Sequence, residues 1–162
     1  MSQASPSPST TQGYVPPSVT QFSVFLDNRV GKLLELVQEF DSHPSCQICA
    51  LSVQEASDYA VVRFLTNSAG CARKVLQHEG LPFSEKQVLV VELHEGQTLS
   101  RLCLSLLGAE LSIHFAYPVM LRGTGHPTIA LAVDDLVLAG QILRKKEFLL
   151  LGECDLPGRA SC

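Results

Sequence analysis

Positive charge is in short supply. Twelve Lys and Arg residues face sixteen Asp and Glu, a formal net charge of −4 over 162 residues. That balance argues against wholesale binding to a phosphate backbone and leaves small molecules or proteins as partners. No stretch approaches the roughly 18–20 uninterrupted apolar residues of a membrane span. The most apolar helical segment, Leu99 to Leu107, contains Arg101 and two serines. The opening MSQASPSPSTTQGYVPPS has neither a charged n-region nor an apolar h-region, so it does not read as a secretory leader. Together these absences lead to the expectation of a soluble, cytoplasmic protein that contacts no membrane.

Catalytic signatures are missing too. There is no Gly-rich nucleotide loop, no G-x-S-x-G and no H-E-x-x-H, so neither catalytic residues nor a cofactor is expected. Six cysteines stand at 46, 49, 71, 103, 154 and 162, and only Cys46 and Cys49 form a C-x-x-C. No second pair completes a four-ligand zinc site. Residues three apart on a strand face opposite sides, which opposes chelation by this pair. The expectation is free thiols, a small buried hydrophobe at Cys49, and no metal.

What is present is core material. Apolar residues make up 46% of the chain, enough for one domain or two small ones. Residues 1–18 are rich in Ser and Pro without charge, and read as a disordered tail. In VTQFSVFL (19–26), Phe22, Val24 and Leu26 share one strand face, and Gln21, Ser23 and Phe25 the other. After the DNRVG break, Val30, Leu33, Leu34, Val37 and Phe40 recur at helical spacing, until Pro44 ends the pattern. Strands follow at 47–53 and 59–65. A helix then carries Ala69, Ala72, Val75 and Leu76 inward, with Asn67 or Ser68 as its cap and Gly80 beyond its end.

A second series begins with a strand at 87–93. Thr98 caps a helix with Leu99, Leu102, Cys103 and Leu106 inward. Strands at 111–120 and 128–133 flank the loop RGTGHP. Asp134 or Asp135 caps a helix with Leu136, Ala139 and Leu143 inward, and a strand at 148–154 closes the series. The order strand, helix, strand, strand, helix thus occurs twice, with units at 19–84 and 85–156 and a short tail at 157–162. Each series predicts an α+β, ferredoxin-like βαββαβ unit: an antiparallel sheet with both helices on one face and the other face open.

These residues resemble a known family. FSVFLDNRVGKLLELVQEF is similar to the opening of an ACT domain, with its strand, Asn-Arg-x-Gly turn and amphipathic helix. QICALSVQEASDYAVVRFLTNSAGCARKVLQHEG resembles the remainder of the first unit in small bacterial tandem-ACT proteins. QVLVVEL, LSIHFAYPVM, PTIALAVDD and LVLAGQILRKKEFLLL resemble the second. The resemblance implies a regulatory module that binds an amino acid or similar small molecule, homodimerises, and acts on a regulated enzyme or transporter.

It also implies a place for the ligand, between the first turn of one unit and the second strand of a neighbour. The candidate residues are Asp27, Asn28, Arg29, Val30 and Gly31 on the turn, and Ala50, Leu51 and Ser52 on the strand. The amide end of a helix favours a carboxylate. A glycine at position 31 leaves the backbone accessible. Asp27 and Asn28 offer acceptors to an ammonium. Val30-Gly31 replaces the family's Pro-Gly, and the turn His94–Thr98 is shortened, so the first unit is the better site. His114, on the second strand of the second unit, is a further candidate facing a ligand or a partner sheet. Arg63 is expected on the open face, paired with Glu55 or Asp58 or holding a ligand carboxylate. His126 reads as a loop residue. Pairing of edge strands would merge the two units into one eight-stranded sheet, with a homodimer covering what stays open.

Two other readings use the same topology. One is a ligand-free structural or interaction module. The other is an RNA-recognition domain with Phe25 and Tyr59 on the open face. Against that, Val61 stands where an aromatic belongs and Ser57-Asp58 where a basic-Gly pair belongs.

Overall fold

The computed structural model describes residues 13–120 and 125–157. Seven strands and four α-helices follow in order: β1 (Val19–Asp27), α1 (Lys32–Asp41), β2 (Ile48–Glu55), β3 (Tyr59–Thr66), α2 (Ala69–His78), β4 (Phe83–Glu92), α3 (Leu99–Leu107), β5 (Ile113–Pro118), β6 (Thr128–Val133), α4 (Leu136–Lys145) and β7 (Leu149–Leu151). A 3-10 turn, Glu153–Asp155, closes the described chain. No helix among the described residues is long and apolar enough to cross a membrane. Residues 1–12 of the expected tail and residues 158–162 lie outside the described residues, as does part of the RGTGHP loop.

The expected eight strands are seven, because one strand serves both units. The first half of β4, from Phe83 to Val88, pairs with β1, and the second half, from Leu89, pairs with β6 and β7. The sheet order β2-β3-β1-β4-β6-β5, with β7 also on β4, therefore contains two four-stranded plaits that share a member. The sequence division at 84/85 passes through this strand. A continuous backbone ladder, rather than a linker, joins the units.

Local chemistry repeats along with the topology. Asn67 Oδ1 accepts from the Gln47 amide at 2.8 Å, tying the end of β3 to the start of β2. Asp134 Oδ1 accepts from the Ser112 amide at 3.1 Å and ties β6 to β5 in the same way. The next residue in each case caps the following helix: Ser68 accepts from Cys71 N and Asp135 from Leu138 N. Both second strands carry a bulge, between Ile48 and Ala50 and between Ile113 and Phe115.

Three apolar cores result. Phe22, Val24 and Leu26 of β1 and Val62 and Phe64 of β3 meet α1 and α2 in the first. Leu89, Val91, Leu131 and Val133 meet α3 and α4 in another. The third lies between the sheet faces that carry no helix, and is built from both units: Ala50 and Leu65 from one, Val90, Tyr117, Ala130 and Ala132 from the other. The face expected to stay open is thus covered at one end by the chain's own second half, at Val19, Ala50 and Leu65. At the far edges, Met120 N donates to Cys49 O at 2.8 Å and brings the end of β5 onto β2.

The helical stripes shift slightly from the periodicity. On α1 the buried residues are Leu36 and Phe40, while Val30 stands fully exposed in the turn before the helix and Leu34 faces solvent. On α3, Leu102 and Leu106 are buried but Leu99 and Cys103 are not. Residues 13–18 are described as well. Pro16 is buried on α4, where a Cβ built at Gly140 would overlap its ring.

Candidate ligand site

The turn that follows β1 is held from within. Asp27 Oδ2 accepts from Arg29 Nη2 at 2.9 Å, with both side chains exposed. Asn28 Nδ2 donates to Glu55 Oε1 at 3.0 Å, fastening this turn to the β2–β3 hairpin. Asp27 and Asn28 were expected as acceptors for an ammonium; here Asp27 is engaged by Arg29 and the amide nitrogen of Asn28 faces Glu55. Gly31 is the residue that lets the chain enter α1. Its φ of +91° lies in the left-handed region, and nothing stands within 4 Å of where a Cβ would project. No side chain caps α1. Ser68, Thr98 and Asp135 each cap their own helix. A cleft of ≈ 270 Å³ runs along the first turns of α1, lined by Lys32, Glu35, Leu36 and Glu39 with Leu26 and Leu81 opposite.

Ala50, Leu51 and Ser52 do not meet this turn within the chain. They pair with Leu65, Phe64 and Arg63 of β3, which in turn pair with Gln21, Phe22 and Ser23. Ser52 therefore stands level with Ser23, four residues along β1 from Asp27, and across an intervening strand. Ala50 is buried between the two halves. His114 is the extra residue of the β5 bulge. It is exposed, with Nδ1 3.3 Å from Lys86 Nζ. The corresponding turn of the second unit is closed on itself: Gln97 Oε1 accepts from His94 N, and Thr98 caps α3.

Arg63 does project from the helix-free face, but neither Glu55 nor Asp58 is its partner. Its Nη1 donates to Gln54 Oε1 at 3.0 Å, and its guanidinium lies 4.5 Å from the Phe115 ring centroid. Phe25 and Tyr59 stand on the uncovered end of that face, ring centroids 6.2 Å apart.

Cys46 and Cys49 fall into different cores, as residues three apart near a strand should. Burial pushes the Cys46 thiol from its ordinary 9.0 up to about 12, with Cys71 nearby adding to the shift, and pushes Cys49 up to about 11. Cys71 and Cys103 are also free, whereas Cys154 is disulfide-bonded and departs from the free-thiol expectation.

One cluster escaped the sequence reading. Glu92, buried at the end of β4, has Oε1 3.1 Å from His94 Nε2 and 3.5 Å from His126 Nδ1. The two imidazoles stack with centroids 4.6 Å apart. His126 reaches Glu92 because Glu92 pairs with Thr128, two residues on from the histidine. The only sequence signal was E-x-H at a strand end.

Comparison with known proteins adds to this geometry. The family model described as the ACT domain pair matches residues 17–154. No curated protein sequence matches the chain. Among solved structures, the fold is similar to that of protein BT0572 from Bacteroides thetaiotaomicron, at a TM-score of 0.76 and 18% identity over 86% of this chain and 96% of that one. It is also similar to the ligand-free regulatory subunit of aspartate kinase from Thermus thermophilus, at a TM-score of 0.54 and 10% identity over 82% of this chain and 92% of that one.

Proposed function

Because the chain belongs to the ACT domain pair family, we propose that it is a non-catalytic regulatory module taking a small ligand, an amino acid, at the amide end of α1. The observation that carries this reading is the uncapped entry to that helix. Gly31 contributes no side chain, and the space over it is open. A ligand carboxylate there would supply the acceptor that Ser68, Thr98 and Asp135 supply to the other helices. In this reading the ligand's ammonium meets the Glu55 carboxylate that Asn28 already positions. Leu51 and Ser52, both half-buried, would contribute only from a second copy, which makes the working unit a homodimer; Ala50, buried between the halves of each copy, drops out of the site. Binding would stiffen that interface, and a regulated enzyme or transporter would respond to the change. His114 belongs to the site only if the neighbouring copy presents it. Cytoplasmic location follows as part of the same proposal.

A ligand-free interaction module is the second reading. The self-closed second turn favours it for that half of the chain. RNA recognition is not favoured: Phe25 and Tyr59 stay exposed, but the other end of that face, at Ala50 and Leu65, is buried between the two halves and leaves little platform for further bases.

Thermal shift against the twenty amino acids at millimolar concentration separates these readings. A ligand at ten times its Kd stabilises by about 1.4 kcal/mol, which raises Tm by roughly 3–6 °C in a domain of this size. Gly31→Ala should abolish the shift, because it places a methyl group on the cradle. If no amino acid moves Tm, the interaction-module reading replaces this one. Light scattering with and without the effective ligand tests the dimer.

A further inference from the structure

We propose that Glu92, His94 and His126 form a binding site for one divalent cation of the zinc class. Two neutral imidazoles and a carboxylate are a donor set that zinc, cobalt and nickel prefer and that magnesium and calcium do not. The donor atoms all lie within 4.8 Å of one another. Two of the three separations, 3.1 and 3.5 Å, bracket the roughly 3.4 Å edge of a tetrahedron with metal–ligand distances near 2.1 Å. The third edge closes by rotation of two imidazoles that are both about half exposed.

The supports differ in a way that suits a metal. Glu92 sits on an interior strand, paired on one side with Thr128 of β6 and on the other with Leu149 of β7. Its carboxylate is buried, with only 3% of the side chain exposed. The low-dielectric surroundings strengthen its attraction for a cation. The histidines flank it at the mouth, one at the start of the β4–α3 connection and one just before β6. A bound ion would staple these two connections together. Three protein ligands also leave a coordination position facing solvent, for water or a small anionic ligand. The site lies in the second unit and does not depend on whether the Gly31 cradle is occupied.

The test uses the full chain without an affinity tag, stripped with a chelator and then titrated with Co²⁺ and Zn²⁺. One equivalent of Co²⁺ should give the visible d–d bands of nitrogen and oxygen ligation, and Zn²⁺ should displace it. Zinc at a hundred times its Kd should raise Tm by about 5–10 °C. His94→Ala and His126→Ala change exposed side chains and should leave the metal-free Tm within about 2 °C. Each should weaken Co²⁺ affinity at least tenfold, and the double variant should not bind. Three results would overturn the proposal: no stoichiometric binding, a thiolate-to-cobalt charge-transfer band that places the ion on the cysteines, or unchanged affinity in His126→Ala. An amino-acid response lost without loss of Co²⁺ binding would indict only the regulatory-site reading.

Discussion

The phenolic hydroxyl of Tyr117 donates to Oε1 of Gln21 at 2.7 Å, and both side chains are buried where the two units meet. Tyr117 belongs to β5 and Gln21 to β1, ninety-six residues apart. The bond places a buried polar pair beside the apolar core that the two units share. Burial holds the Tyr117 phenol protonated well above its ordinary range, so it remains a donor at any physiological pH.

Tyr117→Phe removes the donor and leaves a buried amide oxygen without it. That should cost about 1–3 kcal/mol, read as a lower urea midpoint at unchanged m-value. Tyr117→Phe with Gln21→Leu removes both partners and should recover most of the loss. A double-mutant cycle showing no coupling between the two positions would mean that the bond does not join the halves.

Much of this interface was already legible as pattern. Gln21, Ser23 and Phe25 alternate against Phe22, Val24 and Leu26, so two faces were evident; what would cover the polar one was not. The reason lies in β4. Its first half, Ser84-Glu85-Lys86-Gln87, is polar and reads as a connection between units. Backbone pairing with β1 makes it a strand all the same. Once that strand is shared, the second plait is set against the helix-free face of the first. The caps at Ser68, Thr98 and Asp135 and the αL glycine at 80 were readable because they depend on local chemistry. Glu92 and His126 were not, because only the β4–β6 register brings them together.

Gly140 carries the next expectation. Within a helix, Gly→Ala ordinarily stabilises by up to about 1 kcal/mol. Here the added methyl would overlap Pro16. Gly140→Ala should therefore displace the segment around Pro16, seen as faster proteolysis near residues 13–18 and no gain in Tm. The same substitution in a chain beginning at Ser18 should raise Tm. Equal responses in both backgrounds would show that Pro16 does not hold the segment down.

Glu153 anchors the end of the second unit to a helix of the first. Its Oε1 accepts from the Ala69 amide at 2.6 Å, at the first turn of α2, where the helix dipole favours a negative charge. Glu153→Ala should lower stability by about 1 kcal/mol, and Glu153→Gln by less, since the amide oxygen still accepts. The charge component should shrink in high salt, so in urea denaturation Glu153→Gln should converge on the parent chain there while Glu153→Ala keeps a deficit. Parallel losses at all salt concentrations would point to packing instead.

The buried thiols set the alkaline limit. In the folded chain Cys46 holds its proton up to about 12 and Cys49 up to about 11, against 9.0 when exposed. Between pH 9 and those values the unfolded chain binds fewer protons than the folded one, so stability falls as pH rises. Each thiol contributes up to about 1.4 kcal/mol per pH unit in that window and nothing below it. The urea midpoint should therefore be level near pH 8 and decline above 9, and Cys46→Ala with Cys49→Ala should flatten the decline. At pH 8 an alkylating reagent should modify exposed Cys103 first, half-buried Cys71 next, and Cys46 and Cys49 only on unfolding. An alkaline slope that survives the double substitution would assign the lost protons elsewhere, with Tyr117 the next group to replace.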